Sequence, residues 1–460
     1  MKILFIHPPV NVNLKIQKGL KYPPLGIAFI SAASLKQGHN VQIFDANVIK
    51  NPFQTLHKLI QKFQPDVIGI SFTSLLSESG NYTAEFVKKI LPGAFVIAGG
   101  YHPTIQPLEV MENINFDAVV VGEGEITFLE WLEAYASKDK DYSSIKGLVF
   151  RKNGRVIINC ERELIPDLDS IPFPAYGLLP ITRYNSMVST RAPYVTFIRS
   201  RGCPFNCIFC GVQRMFGKKY RVQSPHKTIS EIDRLIKEFK IKEILFKDSD
   251  FLIDRNNVIE LCKLFIEKKF DLIWSCNGRV DMIDGEIALL MKQAGCKMIT
   301  YGVESGNQEM LNNLKKGFTL EQITKAIQIT KEAKILVTLN IIFGSPGETK
   351  EIAKETLVFV RELDPDYLNC AFLTAFPGSC LYNDALANGW FIDGKPNSFA
   401  YEQLRLNATK MSVKELSALI KHAIRSFYLR PAYIAKRLRQ ANLAELKNDF
   451  KGLWAIIRNY

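Results

Sequence analysis

Cysteine is scarce: nine residues in 460, three of them in one short run. The other six (Cys160, Cys262, Cys276, Cys296, Cys370 and Cys380) are scattered, mostly in apolar stretches. So sparse a set excludes a disulfide framework and suits free thiols in a reducing cytoplasm. No apolar run reaches the length of a membrane span. The apolar start, residues 1–7, meets Pro8-Pro9 without a small-residue cleavage site, so no signal peptide is expected. There is no internal repeat and no low-complexity tract. What is present, 47% hydrophobic and 23% charged residues, describes a globular protein long enough for two or three domains.

The net charge of +13 is unevenly placed. Residues 411–460 carry ten Lys/Arg against three Asp/Glu. Such a basic surface attracts nucleic acid, anionic lipid headgroups or a phosphorylated substrate, or is simply a solvated helical face.

The first 130 residues alternate strand and helix patterns. Short apolar runs at 2–6, 41–44, 67–72, 95–98 and 118–121 predict strands, and helical spacing at 25–36, 56–63 and 83–90 predicts helices between them. Strands that are apolar throughout, alternating with helices, predict a doubly wound parallel sheet in the α/β class. Such sheets bind ligands beyond the C-terminal ends of their strands. That rule singles out loops 45–47, 71–74, 99–104 and 122–125. Residues 147–157 read as a hairpin with an Asn-Gly turn. Asp167-Leu-Asp-Ser-Ile-Pro-Phe-Pro174 reads as a linker. Alternation then resumes, with strands predicted at 194–199, 243–247, 271–275, 298–303, 336–343 and 367–373. Helices are predicted at 226–239, 256–269, 284–294, 319–333 and 349–362. The basic C-terminal stretch is helical, with Tyr428, Tyr433 and Trp454 among its cations. It is either a helical cap over a barrel mouth or a membrane-surface helix.

The clustered cysteines are Cys203, Cys207 and Cys210, in Arg201-Gly-Cys-Pro-Phe-Asn-Cys-Ile-Phe-Cys210. The C-x3-C-x2-C spacing puts three thiolates in one loop, and Gly202 and Pro204 let that loop curl. Three is one too few for a closed tetrahedral zinc site or for the four-cysteine ligation of a common Fe–S cluster. A [4Fe–4S] cluster held this way keeps one iron open to an outside ligand. A zinc knuckle needs a fourth Cys or His nearby, and His226 is the only candidate.

This run resembles the C-x3-C-x-φ-C signature of the radical S-adenosylmethionine (SAM) family, with Phe209 as the aromatic φ. The resemblance implies that SAM chelates the open iron and that an electron from the cluster cleaves it to a 5′-deoxyadenosyl radical. It also implies that the six later βα units form a partial (βα)6 barrel with its site at the strand C-termini. Phe246-Lys-Asp-Ser-Asp-Phe251 is similar to the family's F-x-D-D-x-F loop, with Asp248 or Asp250 accepting from SAM's ammonium. Arg279 is expected to pair with a carboxylate, SAM's or that of Glu304 in Gly302-Val-Glu-Ser-Gly306. Gly344-Ser-Pro-Gly-Glu-Thr349 resembles G-x-P-G-E-T, where backbone near Ile342 and Gly344 cradles adenine. Glu348 and Thr349 read as helix N-terminal residues. Phe376-Pro377-Gly-Ser379 resembles the P-G-[ST] turn beside corrin or substrate.

A second resemblance lies upstream. Pro24, Leu25 and Gly26 in Tyr22-Pro-Pro-Leu-Gly-Ile27, Gly99, Gly100 and Tyr101 in Gly99-Gly-Tyr-His-Pro-Thr104, and Gly122, Glu123 and Gly124 in Val121-Gly-Glu-Gly-Glu125 are similar to the cobalamin-binding domain of many radical SAM enzymes. Glycines permit close backbone approach to a corrin. Ser71, Thr73 and Ser74 are hydroxyls for its amides. A flavodoxin-like sheet that binds another cofactor, or none, is the alternative. Asp45-Ala-Asn47-Val-Ile-Lys50 departs from the D-x-H-x-x-G motif whose His ligates cobalt. With Asn47 in that place, cobalamin is expected with its own base displaced and no His below the metal.

Together these imply a Rossmann-like cobalamin-binding domain at 1–140, a connector at 141–190, a radical SAM barrel at 191–385 and a helical basic region at 386–460. The implied cofactors are a [4Fe–4S] cluster, SAM and cobalamin. The implied activity is anaerobic methyl transfer, by way of methylcobalamin, to an unactivated carbon or phosphorus. A cobalamin-dependent oxidative cyclase or ring-rearranging enzyme is the first alternative, and a cobalamin/Fe–S carrier module the second. Expected partners are a small-molecule or lipid substrate and an external electron donor such as flavodoxin or ferredoxin, with no nucleic acid. The expected location is cytoplasmic, with peripheral membrane contact through the basic C-terminus.

Overall fold

The structure, a computed structural model, describes residues 1–10, 21–137, 140–184, 186, 189–394, 396, 404–441, 445, 446, 448–450 and 452. It has two compact units: Met1–Tyr184 with Gly211–Val222, and Asn185–Cys210 with Gln223–Tyr460.

The first unit holds a seven-stranded sheet in the order β2-β1-β3-β4-β5-β6-β7. The strands are β1 (Lys2–His7), β2 (Asn40–Asp45), β3 (Val67–Ser71), β4 (Phe95–Gly99), β5 (Ala118–Val120), β6 (Leu148–Lys152) and β7 (Arg155–Ile158). The first five are parallel and the last two antiparallel. Helix α1 (Leu25–Lys36) and helix α6 (Gly124–Ala136) cover one face, packing Ile27, Phe128, Trp131 and Leu132 on Ile3, Phe5 and Val67. Helix α2 (Pro52–Phe63) and helix α3 (Ser77–Ile90) cover the other, with Leu56, Ile60, Phe63, Ala84 and Val87 on Leu4, Ile6 and Ile68. Leu56, Ile60 and Phe63 recur at helical spacing, so one stripe of α2 is buried. Truncating such a leucine to Ala costs about 2–5 kcal/mol. Short helices α4 (Tyr101–Ile105) and α5 (Pro107–Glu112) follow β4.

The doubly wound parallel sheet expected from the sequence is therefore present, but it does not end at β5. The hairpin that the sequence places in a connector extends it: Val120 pairs with Leu148 and Val119 with Val149. Leu148, Val149 and Phe150 are buried, and the open edge of β5 gives that apolar run a partner. Asn153 and Gly154 both have positive φ, 51° and 77°, as the tight hairpin turn requires.

The second unit is a six-stranded, all-parallel open sheet. Its strands are β8 (Tyr194–Phe197), β9 (Glu243–Phe246), β10 (Ile273–Gly278), β11 (Cys296–Glu304), β12 (Leu336–Phe343) and β13 (Tyr367–Phe372), each beside its predecessor in the chain. Between them run α7 (Pro225–Phe239), α8 (Arg255–Lys268), α9 (Gly285–Gln293), α10 (Gln308–Asn313), α11 (Leu320–Glu332) and α12 (Lys350–Leu363). Ser224, Asp254, Asp284, Asn307, Thr319 and Thr349 each accept a backbone N–H at the start of one of them, which fixes where the helices begin. This is the expected partial (βα)6 architecture. Two strands run further than their sequence pattern: Cys276, Asn277 and Gly278 lie inside β10, and Glu304 ends β11.

After β13 come α13 (Cys380–Ala387), α14 (Val413–Tyr428) and α15 (Pro431–Gln440). Tyr428 and Tyr433 are turned inward, their hydroxyls on the backbone of Leu368 and Asp366. Arg430 and Lys436 pair with Asp364, and Arg437 with Asp449. The aromatic residues expected to mark a membrane-facing helix thus seal the barrel edge, and several of the cations are neutralised. Trp454 lies outside the described residues. No helix among the described residues is long and apolar enough to cross a membrane.

Candidate functional site

Cys203, Cys207 and Cys210 lie in the loop beyond β8, all half-buried. Gly202 turns the loop with φ of 87°. Between the second and third cysteines, Ile208 is fastened at both ends: its N–H donates to Leu314 O (3.3 Å) and its C=O accepts from Leu381 N (2.9 Å). Ile208 and Phe209 also pack on Leu373, Ala375 and Leu381. Between the first and second cysteines, Phe205 lies under the Arg279 guanidinium, 3.5 Å from its ring centre. Such a stack is worth about 0.5–2 kcal/mol. Burial pushes the Cys203 thiol up, the neighbouring Cys207 adds to this, and Arg279 opposes it.

Among the described residues no three His, Cys, Asp or Glu side chains converge as on a single ion. A [4Fe–4S] cube spreads its ligands over separate irons, so three thiols along one anchored loop fit it. His226, the sequence's candidate for a fourth zinc ligand, is exposed on α7 and faces Glu260 at 3.5 Å. His226 therefore adds no fourth donor to the three thiols.

Around the mouth of the barrel stand Asp248 and Asp250, both buried. Asp248 Oδ1 accepts from Ser200 and lies 4.0 Å from Arg199 Nε. Asp250 Oδ1 accepts from Leu252 N at 2.9 Å. The second oxygen of each is buried without a hydrogen bond. Burial pushes both carboxyls up, Asp250 to about 6, against the attraction of Arg199 and Arg279 respectively. A buried acceptor left empty costs about 1–3 kcal/mol, more when charged. Two such oxygens suit a cationic ligand such as the ammonium of SAM.

Arg279 does not meet Glu304. It is bidentate to Asp281 (3.0 and 2.9 Å) and donates to Lys316 O (2.7 Å). Glu304 pairs instead with Lys316, 3.2 Å away and equally buried. The bulge in β11 between Gly302 and Glu304, where Glu304 has φ of 71°, explains the choice. A Cβ at residue 302 would stand 2.6 Å from the Glu304 carboxylate, so only glycine admits this turn of the side chain.

Beyond β12, Glu348 folds back to accept from Gly344 N (2.5 Å) and Ser345 N (3.2 Å). Burial pushes its carboxyl up to about 7, against those two N–H groups. Glu348 is thus a clamp on the loop that starts at Gly344, just beyond Ile342 of β12, while Thr349 caps α12 as expected. Pro377 is buried in a turn where Ser379 bonds back to Phe376 O and caps α13. The turn supports the cysteine loop through Leu381.

In the first unit, strand order 2-1-3-4-5 places the switch point between β1 and β3. Ser71 ends β3, and Thr73 follows it exposed; among the described residues neither hydroxyl is bonded within the chain. A Cβ at Gly100 would come within 2.7 Å of Ser71 Oγ and 2.9 Å of Phe72 O, so its glycine keeps that corner open. Gly99, Gly122 and Gly26 have free space where a side chain would go, beside Pro24 and the buried Leu25. Tyr101 starts α4 with its hydroxyl close against Gly211, where a Cβ would meet it at 1.6 Å. This open, hydroxyl-lined corner fits the amides of a corrin.

Four expected cofactor contacts have structural work instead. Asn47 spends its whole amide: Oδ1 accepts from Val10 N (2.6 Å), and Nδ2 faces His7 Nδ1 (2.8 Å), Pro8 O (3.1 Å) and Asp45 Oδ1 (3.2 Å). Ser74 is buried against His102 Nδ1 (3.1 Å). Glu123 forms a buried two-point ion pair with Arg221 (3.0 and 2.7 Å) and also accepts from Ile165 N. Gly124 is small because a Cβ there would strike Ile30 of α1 at 2.9 Å.

Sequence reasoning missed Arg199, Lys316 and His7. The fully buried Arg199 stacks on Phe251 at 4.0 Å and donates to its carbonyl, bracing the acidic loop. Its signal was a cation ending an apolar strand run. His7 gave the same kind of signal at the end of β1.

The model of the Radical SAM superfamily matches residues 197–360, and that of the B12 binding domain matches residues 14–132. An uncharacterized methyltransferase of Pyrococcus horikoshii is 33% identical over 454 residues, spanning 98% of each chain. The anaerobic magnesium-protoporphyrin IX monomethyl ester cyclase of Rubrivivax gelatinosus is 28% identical over 443 residues, spanning 94% of this chain and 78% of its own. The solved structure of the cobalamin-dependent S-adenosylmethionine radical enzyme OxsB, with aqua-cobalamin and S-adenosylmethionine bound, is similar with a TM-score of 0.75 at 18% identity, covering 99% of this chain and 70% of that one. At that identity the likeness speaks to the fold.

Proposed function

This chain belongs to the radical SAM enzymes that carry a B12 binding domain, and from that premise we propose that it moves a methyl group from SAM to an unactivated carbon or phosphorus of a small molecule or lipid. Its cofactors are a [4Fe–4S] cluster, SAM and cobalamin. When bound, the cluster supplies the electron that cleaves SAM, and cobalamin carries the methyl group.

The chain's own part is to hold and orient. Cys203, Cys207 and Cys210 hold the cluster, and the two backbone bonds of Ile208 keep their loop in place. The empty oxygens of Asp248 and Asp250 receive the ammonium of SAM. Glu348 fixes Gly344 and Ser345 so that the loop beyond Ile342 can receive adenine. Ser71, Thr73 and the glycines at 99, 100 and 122 receive the corrin. Fixed donors and acceptors of this kind lower the cost of bringing reactants together. An external flavodoxin or ferredoxin provides the electrons.

The observation that carries methyl transfer over cyclisation is the higher identity, 33% to the methyltransferase relative against 28% to the cyclase. The test is to incubate reduced, reconstituted protein with methyl-deuterated SAM and an extract from a strain lacking this gene. A product that takes up the label supports methyl transfer. A product consumed or cyclised without label supports the cyclase alternative and overturns the proposal.

A further inference from the structure

The second sheet has two unlike faces. Tyr301, Leu339 and Phe343 point to one face and are fully buried. The Tyr301 hydroxyl meets that of Thr330 on α11 at 2.8 Å, so this is the face that helices cover. Side chains alternate along a strand, so Thr300, Asn340 and Ile342 point to the other, inner face. Each of these is partly open to solvent, and Asn369 of β13 is exposed. The inner face is therefore lined but not filled, unlike the packed interior of a closed (βα)8 barrel.

Its open groups are polar. Asn340 and Asn369 are register partners, joined by a hydrogen bond from Nδ2 of Asn369 to Oδ1 of Asn340 (3.0 Å). Asn277 and Thr300 are register partners too, and Asn277 Nδ2 donates to Asp248 O (3.2 Å). That leaves Asn340 Nδ2, Asn369 Oδ1, Asn277 Oδ1 and the Thr300 hydroxyl without a protein partner among the described residues.

Lys247 adds a charge to this face. Phe246 packs on Phe251 and Trp274, and Trp274 stacks on Phe265 of α8, so Phe246 faces the helices. Lys247 comes next, and its N–H still donates to Phe197 O (2.8 Å), so the ladder continues and its side chain takes the inner face. Solvent reaches that side chain, yet the protein around it desolvates the ammonium and lowers its pKa, as in a recess and not on a convex surface.

Resting on the methyl-transfer reading above, we infer that this inner face binds the substrate, and that the substrate is a water-soluble anion, a carboxylate or phosphate, with several hydrogen-bonding groups. Lys247 meets its charge, and Thr300, Asn340 and Asn369 meet its polar groups. A hydrocarbon lipid in this place would leave those groups dry and unpaired, which is unfavourable. An anion also returns to Lys247 the stabilisation that burial removes. The choice between small molecule and lipid narrows to the first.

The experiment uses full-length protein with its cluster and cobalamin, methyl-deuterated SAM, and an extract of the strain lacking this gene, split into water-soluble and chloroform-soluble fractions. The water-soluble fraction should yield a labelled product that an anion exchanger retains at pH 7, and its accurate mass tells a carboxylate from a phosphate. Lys247→Met should raise the amount of that fraction needed for half-maximal rate by about 10- to 100-fold, the loss of one hydrogen bond to a charge. Lys247→Arg should recover part of this, and Asn369→Leu should raise the requirement as well. SAM affinity, read by calorimetry, should match wild type in all three, which separates substrate binding from SAM binding. A neutral labelled product, turnover of the chloroform-soluble fraction only or of neither, an unchanged requirement in Lys247→Met, or loss of SAM affinity in that variant would each overturn the inference. A product formed without label defeats methyl transfer alone, and its charge still decides the inference. The charge of the wild-type product decides the matter even if a variant does not fold.

Discussion

The hydroxyl of Tyr428 both donates to the carbonyl of Leu368 (2.8 Å) and accepts from its N–H (2.9 Å). Leu368 lies on β13, the last strand of the sheet, whose outer backbone groups have no neighbouring strand among the described residues. One side chain of α14 thus does for this residue what a further strand would do, and blunts an edge that invites foreign pairing. Tyr428→Phe removes both bonds and leaves the backbone groups buried and unpaired. The expected cost is about 1–3 kcal/mol, read as a lower unfolding midpoint of the second unit with more aggregation on heating. An unchanged midpoint would mean that water replaces the hydroxyl there.

The cysteine loop predicts iron stoichiometry. Protein purified without oxygen should be brown and hold about four irons per chain. Replacing any of Cys203, Cys207 or Cys210 by Ala should abolish SAM cleavage and sharply lower iron content. A wild-type protein carrying one zinc and no iron under the same conditions contradicts the assignment.

Asp250 predicts a pH-dependent affinity for SAM. Its carboxyl is raised to about 6 in the free protein, and it is the ionised form that attracts an ammonium. Affinity measured by calorimetry should therefore weaken as pH falls below about 6. Asp250→Asn should flatten that dependence and weaken binding by about 10- to 100-fold, the loss of one hydrogen bond to a charge. Equal affinity in the two proteins across the range would remove Asp250 from the site.

Glu348 predicts the opposite slope for stability. Its carboxyl is raised from 4.5 to about 7 by burial. Between those values the folded state keeps a proton that the unfolded state has lost. The contribution is complete below about 4.5 and disappears as pH rises to about 7, by at most about 3 kcal/mol. Glu348→Gln, which keeps a carbonyl for one of the two N–H groups, should remove this fall. A stability profile identical to wild type would show that the carboxyl titrates normally.

The buried pair of Glu123 and Arg221 predicts a large effect away from any chemistry. Glu123→Gln leaves a guanidinium without its anion in the interior of the first unit. The expected destabilisation is about 3–5 kcal/mol, with iron bound normally in the protein that does fold. A near-neutral variant would mean that Arg221 finds water.

Much of this molecule is legible in its sequence because the apolar rhythm is strong. The runs at β1, β3 and β4 are buried on both faces, so each reads as a strand without help from tertiary context. The cysteine spacing is legible for the same reason: a loop ligand set is local. What escaped is non-local. Nothing near residue 47 announces that Asn47 is spent on residues 7–10, about forty positions earlier. Glu304 reads as a partner for Arg279 until the bulge at Gly302 turns it to Lys316. The basic C-terminus counts as an excess of charge in the sequence. In the fold, Asp364, more than sixty residues upstream, takes two of its cations, Arg430 and Lys436. Glycine motifs mislead where the missing Cβ serves packing, as at Gly124 against Ile30.

Because every strand from β8 to β13 pairs with the one made just before it, the second sheet can lengthen in step with synthesis on the ribosome. The cysteine loop emerges near the start of that sequence. Its final fastening, Leu381 N–H to Ile208 O, waits until α13 has been translated. For most of that interval the three thiols stand on a loop still free to open, and the delivery of iron and sulfide has a natural window before the latch closes. Nascent chains arrested before Leu381 should accordingly have cysteines more reactive to alkylation than chains arrested after Ala387.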